Sequence, residues 1–252
     1  MNDRYFWLTA EQFSRLEPLL PTDTRVMPRV DDRRVISGII HVLKSGGRWA
    51  DAPKVYGPRK TLYNRFVRWA AKGSLERCLL YPGLGRRAAG AGSDRLLGGE
   101  GASLRLRWKR GELRQAIGRS RGGRTTKIHA LTDRFCRPIA FLLTGGQVAD
   151  CTAAETLLEQ MPATSILHGD KGYDSNAVRR KIEAMGAAPN ILPKINRVWK
   201  PCFSPVLYRN RNAIERMFGR IKDFRRIATR YDKLAKNFLA AVYLVATICY
   251  WL

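Results

Sequence analysis

The pattern of apolar and polar residues predicts helices in the first third of the chain. In three stretches between residues 9 and 70 apolar side chains recur every three or four positions, which is the helical period, and proline and glycine residues separate the stretches. Thr9 and Gln12 form the spacing of a capping box at the start of the first predicted helix. Asp31 precedes the second helix, and Thr61 is the predicted cap of the third. The segment therefore predicts a small helical domain.

The third predicted helix is basic at its start and along the face opposite its apolar stripe. The residues concerned are Arg59, Lys60, Asn64, Arg65 and Arg68. A glycine turn followed by a basic last helix is typical of a helix-turn-helix domain that recognises duplex DNA. An ordinary three-helix bundle with a solvated basic face fits the same pattern, because basic amphipathic helices are common. This segment alone leaves both interpretations open.

The second half of the chain predicts strands separated by helices. Residues 126–143 contain two apolar runs and predict an antiparallel hairpin. The run at 165–170 predicts a strand that ends at Asp170, and Ser175 caps the helix that follows. A further strand is predicted at 189–193. A strand–helix–strand order predicts a parallel pair in a mixed sheet.

The regular pattern is lost between these two parts. Residues 78–110 are rich in Gly, Ala and Arg and keep neither the helical nor the alternating period. We predict a linker there, between a helical domain at 1–77 and an α/β domain at 111–252. An alternative is that the residues now present in this segment differ from those with which the fold evolved.

A glycine-rich basic loop is predicted at 118–124. Its glycines let the backbone approach a phosphate closely, and Arg121 and Arg124 are the candidate DNA contacts. A surface loop without a binding role would have the same composition.

The charge of the chain points to a polyanionic partner. Lys and Arg number 46 against 21 Asp and Glu, which gives a formal net charge of +25. Such an excess favours phosphate groups but permits DNA, an RNA- or ribosome-associated role, or a membrane surface. The apolar run at 237–252 is shorter than the ~20 residues that a bilayer requires, so we predict a buried helix and no membrane partner.

The number and spacing of the cysteines and histidines argue against a disulfide framework and a zinc site. The five cysteines are an odd number without a C-x-x-C spacing, and the three histidines have no metal-ligand spacing. We therefore expect neither a disulfide framework nor a cysteine zinc site, and a reducing compartment is favoured.

A predicted helix from 208 to 226 carries an unusual polar face. Tyr208, Arg211, Glu215 and Lys222 lie on one side of it at about 100° per residue. The neighbouring stripe is apolar and consists of Ile214, Met217, Phe218 and Ile221. We expect the stripe to cover a core and Glu215 to lie at its edge, within reach of Asp170.

Two carboxylates at such an edge suit phosphoryl-transfer chemistry. A lone Asp after a strand is more often a turn residue or a helix cap, so the prediction depends on Glu215 joining Asp170. Carboxylate oxygens bind Mg²⁺, for which Mn²⁺ can substitute, and paired ions activate the attacking oxygen and stabilise the leaving one. Arg211 and Lys222 would offset phosphate charge, and Tyr208 could hydrogen-bond to DNA or stack on it. An RNA-binding role leaves this face unexplained.

The spacing Tyr208-x2-Arg211-x3-Glu215-x6-Lys222 resembles the Y-R-E-K pattern of DDE transposases with the insertion-sequence-4-like catalytic domain. The stretch His-Gly-Asp-Lys-Gly-Tyr-Asp at 168–174 resembles the strand that supplies their second acidic residue. Much of residues 5–77 and 110–252, including Arg-Thr-Thr-Lys-Ile-His-Ala-Leu at 124–131, resembles the insertion-sequence-5 family of bacterial transposases.

This resemblance implies an α/β, RNase H-like mixed sheet flanked by helices and preceded by a helix-turn-helix-like domain. It implies Mg²⁺-dependent cleavage and strand transfer at an insertion-sequence end, with terminal inverted repeats and target DNA as partners. Asp170 and Glu215 would be the second and third catalytic acids and metal ligands. The joining of two ends implies a homodimer or a higher oligomer, in the bacterial cytoplasm at the nucleoid.

The first acidic residue of the family pattern is missing. Gly98 and Gly99 occupy its neighbourhood, and Glu100 is the nearest carboxylate. The resemblance fades near residue 78 and returns near 109, so we hypothesise a pair of compensating frameshifts across 78–108. Loss of one of three metal ligands would weaken the site gravely. The alternative function is therefore a catalytically impaired transposase remnant that binds DNA.

Overall fold

The structure is a computed structural model, and it describes residues 5–21, 31–79, 95–104, 115–120 and 123–252. Only the backbone is described for residues 95, 96, 99–104 and 210.

The helices and strands are labelled here in chain order. The helices are α1 Ala10–Leu16, α2 Asp32–Ser45, α3 Arg59–Ala71, α4 Asp150–Leu158, α5 Asn176–Ala184, α6 Pro205–Tyr208, α7 Asn212–Lys222, α8 Arg225–Ala228 and α9 Ala235–Tyr250. The strands are β1 Arg95–Leu104, β2 Gly118–Ser120, β3 Gly123–Thr132, β4 Pro138–Gly145, β5 Ile166–Gly169, β6 Ala188–Ile191 and β7 Thr229–Arg230.

The chain divides into two compact units. One is helical and combines Met1–Tyr81 with Ile221–Leu252, and the other contains the main sheet and spans Pro82–Arg220. This division differs from the predicted boundaries of 1–77, 78–110 and 111–252. The difference arises because α9 is apolar on nearly all sides, and α2, α3 and α8 in the helical unit pack against it.

The first two helices begin where the sequence predicts. The Thr9 side chain accepts a hydrogen bond from the Gln12 backbone N–H, and the Gln12 side-chain oxygen accepts one from the Thr9 backbone N–H. Asp31 accepts bonds from the first turn of α2. The prediction that Thr61 caps the third helix is wrong, because α3 begins at Arg59 after the extended residue Pro58. Proline has no backbone N–H to satisfy, so it suits that position.

The C-terminal apolar run forms a buried helix, as predicted. Most side chains between Asn237 and Thr247 in α9 are buried. The Tyr243 hydroxyl donates a hydrogen bond of 3.0 Å to Glu76, and this bond ties α9 to the first part of the chain. In the portion of the chain that the structure describes, no helix is long and apolar enough to cross a bilayer.

The predicted mixed sheet is confirmed. The strand order is β2–β3–β1–β5–β6, and β4 pairs with the same edge of β3 as β2 does. The hairpin of β3 and β4 is antiparallel, with Ala130 opposite Phe141. The β5–β6 pair is parallel, and β1 joins the halves because it is antiparallel to β3 and parallel to β5.

Part of the predicted linker is a central strand, so the linker prediction is corrected at residues 95–104. This segment is β1, which pairs with β3 from Leu96 to Ser103 and with β5 from Arg95 to Leu97. The glycines in β1 hide the alternating pattern of a strand, and two neighbouring strands hold the backbone in place instead.

Helices cover both faces of this sheet. Leu97 belongs to the core cluster that contains Leu157 of α4 and Ile182 of α5. Successive strand residues face opposite sides. A Cβ added to Gly98 would accordingly lie only 2.7 Å from the Cδ1 of Ile214, which places α7 on the other face.

The predicted continuous helix from 208 to 226 is interrupted. The α6 helix ends at Tyr208, a 3-10 turn covers Arg209–Arg211, and α7 follows and ends at Lys222. Phe224 then adopts an extended backbone with ψ 102 and buries its ring, which separates α7 from α8. The buried stripe of α7 agrees with the prediction, since Ile214, Met217, Phe218 and Ile221 are all nearly inaccessible to solvent.

Candidate active site

Asp170 lies directly after β5, at the carboxyl edge of the parallel strands. It caps a 3-10 turn at Lys171–Tyr173, and its Oδ1 accepts a 2.9 Å hydrogen bond from the backbone N–H of Gly172. This bond fixes the direction of the carboxylate. The other oxygen, Oδ2, lies 3.8 Å from Nη1 of Arg211.

Glu215 lies in the first turn of α7 and reaches the same arginine. Nη2 of Arg211 donates a hydrogen bond to Oε1 of Glu215. The guanidinium of Arg211 therefore contacts Asp170 and Glu215, which come from distant parts of the chain. The two carboxylates have different surroundings, since the Asp170 side chain is 30% exposed and that of Glu215 is 58% exposed.

Tyr208 completes the cluster around Arg211. The guanidinium carbon of Arg211 lies 5.6 Å from the centre of the Tyr208 ring, which is the geometry of a cation–π contact. Lys222, the fourth residue of the predicted face, is the last residue of α7. The loop residue Arg121 lies outside the described residues, and Arg124 lies in β3 opposite Arg119.

Burial makes Asp170 harder to ionise than an ordinary aspartate. Desolvation raises the pKa of Asp170 above its usual value of 3.8, because water no longer stabilises the charged form. The hydrogen bond from Gly172 and the charge of Arg211 oppose this rise, while the neighbouring charge of Asp150 adds to it. A second cation beside Asp170 would stabilise the charged carboxylate and lower its pKa again.

A further carboxylate, which sequence analysis did not single out, lies on the other side of this turn. A Cβ at Gly172 would be 2.5 Å from Oδ2 of Asp150 and 3.0 Å from Oδ1 of Asp170. Only glycine leaves room for both groups. Asp150 begins α4, and its Oδ1 accepts a 2.8 Å bond from the ammonium group of Lys127.

A buried histidine supports the turn that carries Asp170. Nδ1 of His129 lies 2.8 Å from the hydroxyl of Tyr173, and Nε2 lies 2.8 Å from the hydroxyl of Thr144. Tyr173 ends the 3-10 turn that Asp170 begins. The pattern Lys127-x-His129 could have indicated this network, because alternate residues of a strand share one face.

The buried His129 predicts a loss of stability in mild acid. Burial lowers the pKa of His129 from 6.5 to about 4, so the folded protein keeps it neutral while the unfolded chain takes up a proton below pH 6.5. Its stabilising contribution is present above pH 6.5 and is lost as the pH falls toward 4. We expect it to fall by about 2 kcal/mol between pH 7.5 and pH 5.

Urea unfolding at the two pH values would measure this difference, with His129→Gln as the control that cannot titrate. The variant should lose about 2 kcal/mol less than the parent over the same interval. Equal losses in both proteins would contradict the assignment.

Gly98 lies beside Asp170 in the sheet. Leu97 of β1 pairs with Gly169 of β5 in parallel register, so the next residue of each strand is Gly98 and Asp170. Glycine, which offers no side-chain ligand, thus stands beside Asp170 on the neighbouring strand. Glu100 pairs through its backbone with Ile128, two positions further along β1.

The donor set suits a hard divalent cation. Asp170 and Glu215 present oxygen atoms, and the cationic guanidinium of Arg211 already bridges them, so this pair attracts positive charge. Within the described ranges, no group of three or more His, Cys, Asp or Glu side chains is close enough together to hold a metal ion. The described residues thus fit one cation through two carboxylates and lack a third such ligand.

The basic residues predicted on the third helix do not all have the same surroundings. Lys60, Asn64 and Arg68 are exposed on one face of α3, and Arg59 is exposed at its start. Arg65 instead forms an ion pair with Asp32 of α2, where both side chains are largely buried.

Two family descriptions match the chain. "Putative transposase of IS4/5 family" matches residues 8–79, and "Transposase DDE domain" matches residues 105–252. The second match alone covers more than half of the chain.

Two curated relatives are also transposases by name. The chain is 32% identical over 129 residues to "Putative transposase for insertion sequence element IS6501" of Brucella ovis, a match that covers 51% of this chain and 98% of that protein. It is 30% identical over 182 residues to "Putative transposase for insertion sequence element IS402" of Burkholderia cepacia, covering 66% and 83%.

Among solved structures, the Mos1 strand transfer complex matches with a TM-score of 0.35 and 12% identity, over 90% of this chain and 77% of that chain. A pre-cleavage Mos1 transpososome matches with a TM-score of 0.32 and 10% identity, over 90% and 80%.

Proposed function

Since the chain belongs to the transposase family that is defined by the DDE domain, we propose that it binds the DNA ends of a bacterial insertion sequence and catalyses their cleavage and strand transfer with a divalent cation. Mg²⁺ is the proposed cation, with Mn²⁺ as its substitute. The proposed partners are the terminal inverted repeats and the target duplex. We place the protein at the bacterial nucleoid as a homodimer or higher oligomer, because two ends must be joined.

The observation that carries this proposal is the contact of one guanidinium with two carboxylates. Arg211 touches both Asp170 and Glu215, so the carboxyl end of β5 and the first turn of α7 meet at one point. A structural ion pair needs only one carboxylate. A cluster of this composition is suited to bind a cation and a phosphate together.

Asp170 and Glu215 would hold the cation through their oxygen atoms. The bound cation would supply Lewis acidity at the phosphate under attack. Arg211 would offset negative charge on the phosphate, and Tyr208 would stack on or hydrogen-bond to the DNA strand. Gly172 and the His129–Tyr173 bond hold Asp170 in a fixed direction, so little reorganisation is needed when the substrate binds.

Cleavage and binding should be measured in one preparation. The substrate is a linear duplex that carries the terminal sequences flanking the coding region, with a scrambled duplex as competitor. We expect binding that survives the competitor, and Mg²⁺-dependent nicks at the ends. A preference for structured RNA over duplex DNA at matched salt would contradict the proposal.

The glycine beside Asp170 favours a second candidate function. With Gly98 at that position, this chain would bind transposon ends and cut them poorly, as a catalytically impaired remnant. Binding to the ends without Mg²⁺-dependent cutting would support the second function, and efficient cutting would rule it out.

Replacing Gly98 with aspartate is expected to strengthen cleavage. The new carboxylate would stand next to Asp170 and supply the missing oxygen ligand. Loss of a residue that only supports a metal ligand lowers activity by about tenfold or more, so gain of a direct ligand should raise the cleavage rate by more than about tenfold. The change should be made with Ile214→Val, because Ile214 Cδ1 would lie 2.7 Å from the new Cβ.

The matched control is Gly98→Asn in the same Ile214→Val background. Asparagine has nearly the shape of aspartate but lacks its charge. If the asparagine variant cuts as fast as the aspartate variant, the gain does not come from a metal ligand.

A further inference from the structure

An open cavity of about 750 Å³ lies on the surface of the helical unit. The chain between α2 and α3 forms most of its wall. Its lining has two parts with opposite chemistry. Small or apolar residues form one part, namely Ala50, Ala52, Gly57 and Pro58, and cationic residues form the other, namely Arg34, Lys54, Arg59 and Lys60.

The wall of this cavity is firmly held. Tyr56 is fully buried, and its hydroxyl donates a 2.8 Å hydrogen bond to the carbonyl of Phe6. It packs so closely on α2 that a Cβ at Gly38 would lie 2.6 Å from the Tyr56 Cβ. Nε of Arg34 donates a 2.7 Å bond to the carbonyl of Val55. The backbone that forms the cavity wall is therefore preformed, so a ligand has to order only the exposed side chains.

Among the described residues, no ion pair neutralises the four cations of the cavity. In the described part of the chain, no acidic side chain forms a salt bridge with Arg34, Lys54, Arg59 or Lys60. Asp51 is close enough to Arg59 to be influenced by its charge, but Arg48 already binds the Asp51 carboxylate at 2.9 and 3.0 Å. Four positive charges around a small apolar surface suit an anionic partner that also has apolar parts.

We propose that this cavity binds one strand of the duplex DNA backbone, with deoxyribose against the alanines, Gly57 and Pro58, and phosphates against the four cations. A sugar–phosphate chain alternates apolar rings with anionic groups, which matches the lining. The proposal rests on the proposed function, because it assumes that the protein binds duplex DNA. It assigns DNA contacts to Arg34 and Lys54, which lie outside the third helix.

The cavity is continuous with the exposed face of α3. Lys60 belongs to both, and Tyr63, Asn64 and Arg68 follow on the same exposed face at intervals of three or four residues. A strand bound in the cavity would hold this face against the adjacent groove. Backbone contacts fix the register in this way, while base contacts supply sequence preference.

The test compares two double variants with the same charge. Lys54→Gln with Lys60→Gln removes two cations of the cavity, and Lys44→Gln with Lys236→Gln removes two exposed lysines that do not line it. Binding of a duplex bearing the terminal sequences is measured from about 50 to 300 mM salt. The logarithm of the binding constant falls with the logarithm of the salt concentration, with a slope of ~0.9 per phosphate contact. Thermal unfolding confirms that both variants are folded.

We expect the cavity variant to bind on the order of tenfold more weakly, and its salt slope to fall by about 2, with no such change in the control. If both variants lose the same affinity and slope, the cavity is not a backbone site. If the unchanged protein does not bind duplex DNA at all, the proposed function fails first. If micromolar inorganic phosphate saturates the cavity and displaces the duplex, the occupant is a free anion and the proposal is overturned.

Discussion

Replacing Asp170 with asparagine is expected to reduce divalent-cation-dependent DNA cleavage on the order of a thousandfold while leaving duplex binding unchanged. Asparagine keeps an oxygen that can accept the bond from Gly172, so the turn after β5 should retain its shape. It loses the negative charge that a hard cation needs. Cleavage rates and binding constants on the same duplex measure the two effects separately.

A second readout keeps this prediction testable if the parent protein cuts weakly. Fe²⁺ bound in place of Mg²⁺ reduces added hydrogen peroxide to hydroxide and a hydroxyl radical, and is itself oxidised to Fe³⁺. The radical cleaves the nearby polypeptide, and we expect cuts near residues 170 and 215. Asp170→Asn should abolish them. Glu183→Gln removes an exposed carboxylate of the same unit and should leave both readouts unchanged. Persistence of the cuts in the Asp170 variant would exclude this carboxylate as a ligand.

Replacing Asp174 with alanine is expected to destabilise the sheet-containing unit by about 3–5 kcal/mol, because Arg179 and Arg197 then lose the carboxylate that balances their charge in a largely buried place. The Asp174 side chain is fully buried. Its Oδ1 accepts a 2.9 Å bond from Nε of Arg179, and its Oδ2 accepts bonds of 2.5 Å from Nε of Arg197 and 2.8 Å from the Lys194 backbone. Urea unfolding followed by circular dichroism measures the loss.

The protonation of Asp174 should have a similar effect. Burial alone would raise its pKa, but the bonds from Arg197, Lys194 and Arg179 together lower the pKa below its usual value of 3.8. Its stabilising contribution is therefore present above pH 4 or so and is lost as the pH falls through the folded pKa.

The control for Asp174 is an exposed ion pair in the same unit. Glu159 lies 3.5 Å from Lys181, with its side chain 68% exposed, and Glu159→Ala should change stability by less than about 1 kcal/mol. Asp174→Asn keeps one acceptor and should lie between the two. If the alanine variants at 159 and 174 lose equal stability, the buried network is not what stabilises this turn.

Local signals in the sequence were enough to predict many of the elements. The caps Thr9, Asp31 and Ser175 are short-range features, because each side chain bonds to a backbone N–H within three residues. The hairpin of β3 and β4 and the apolar stripe of α7 are likewise periodic in the sequence. The carboxylate at the end of β5 could be predicted because strand ends are defined by the same local pattern.

Features that depend on distant residues could not be predicted in this way. The strand β1 has glycine where a periodic side chain would reveal it, and its position depends on hydrogen bonds to β3 and β5. The contact of Asp150 with the Asp170 turn depends on the missing side chain of Gly172. Neither spacing nor composition records which residues approach across a sheet.

The candidate site was predicted in part. Asp170, Arg211 and Glu215 were singled out together because the last two share one helical face and the first ends a strand. The interruption of the helix by the 3-10 turn at Arg209–Arg211 was not predicted, because the local pattern of apolar and polar residues continues through it. Its consequence is that Tyr208 and Glu215 belong to separate helices that Arg211 connects.

The helical unit is assembled from two segments that lie on either side of the sheet-containing unit, and this order affects its biosynthesis. Residues 1–81 are translated before the sheet-containing unit, and α9 is translated after it. At about 5–20 residues per second, roughly 10–30 s separate the two parts. During that interval the apolar side chains that α9 later covers stay open to water or to chaperones. A nascent chain released before its final turns would therefore lack a finished helical unit.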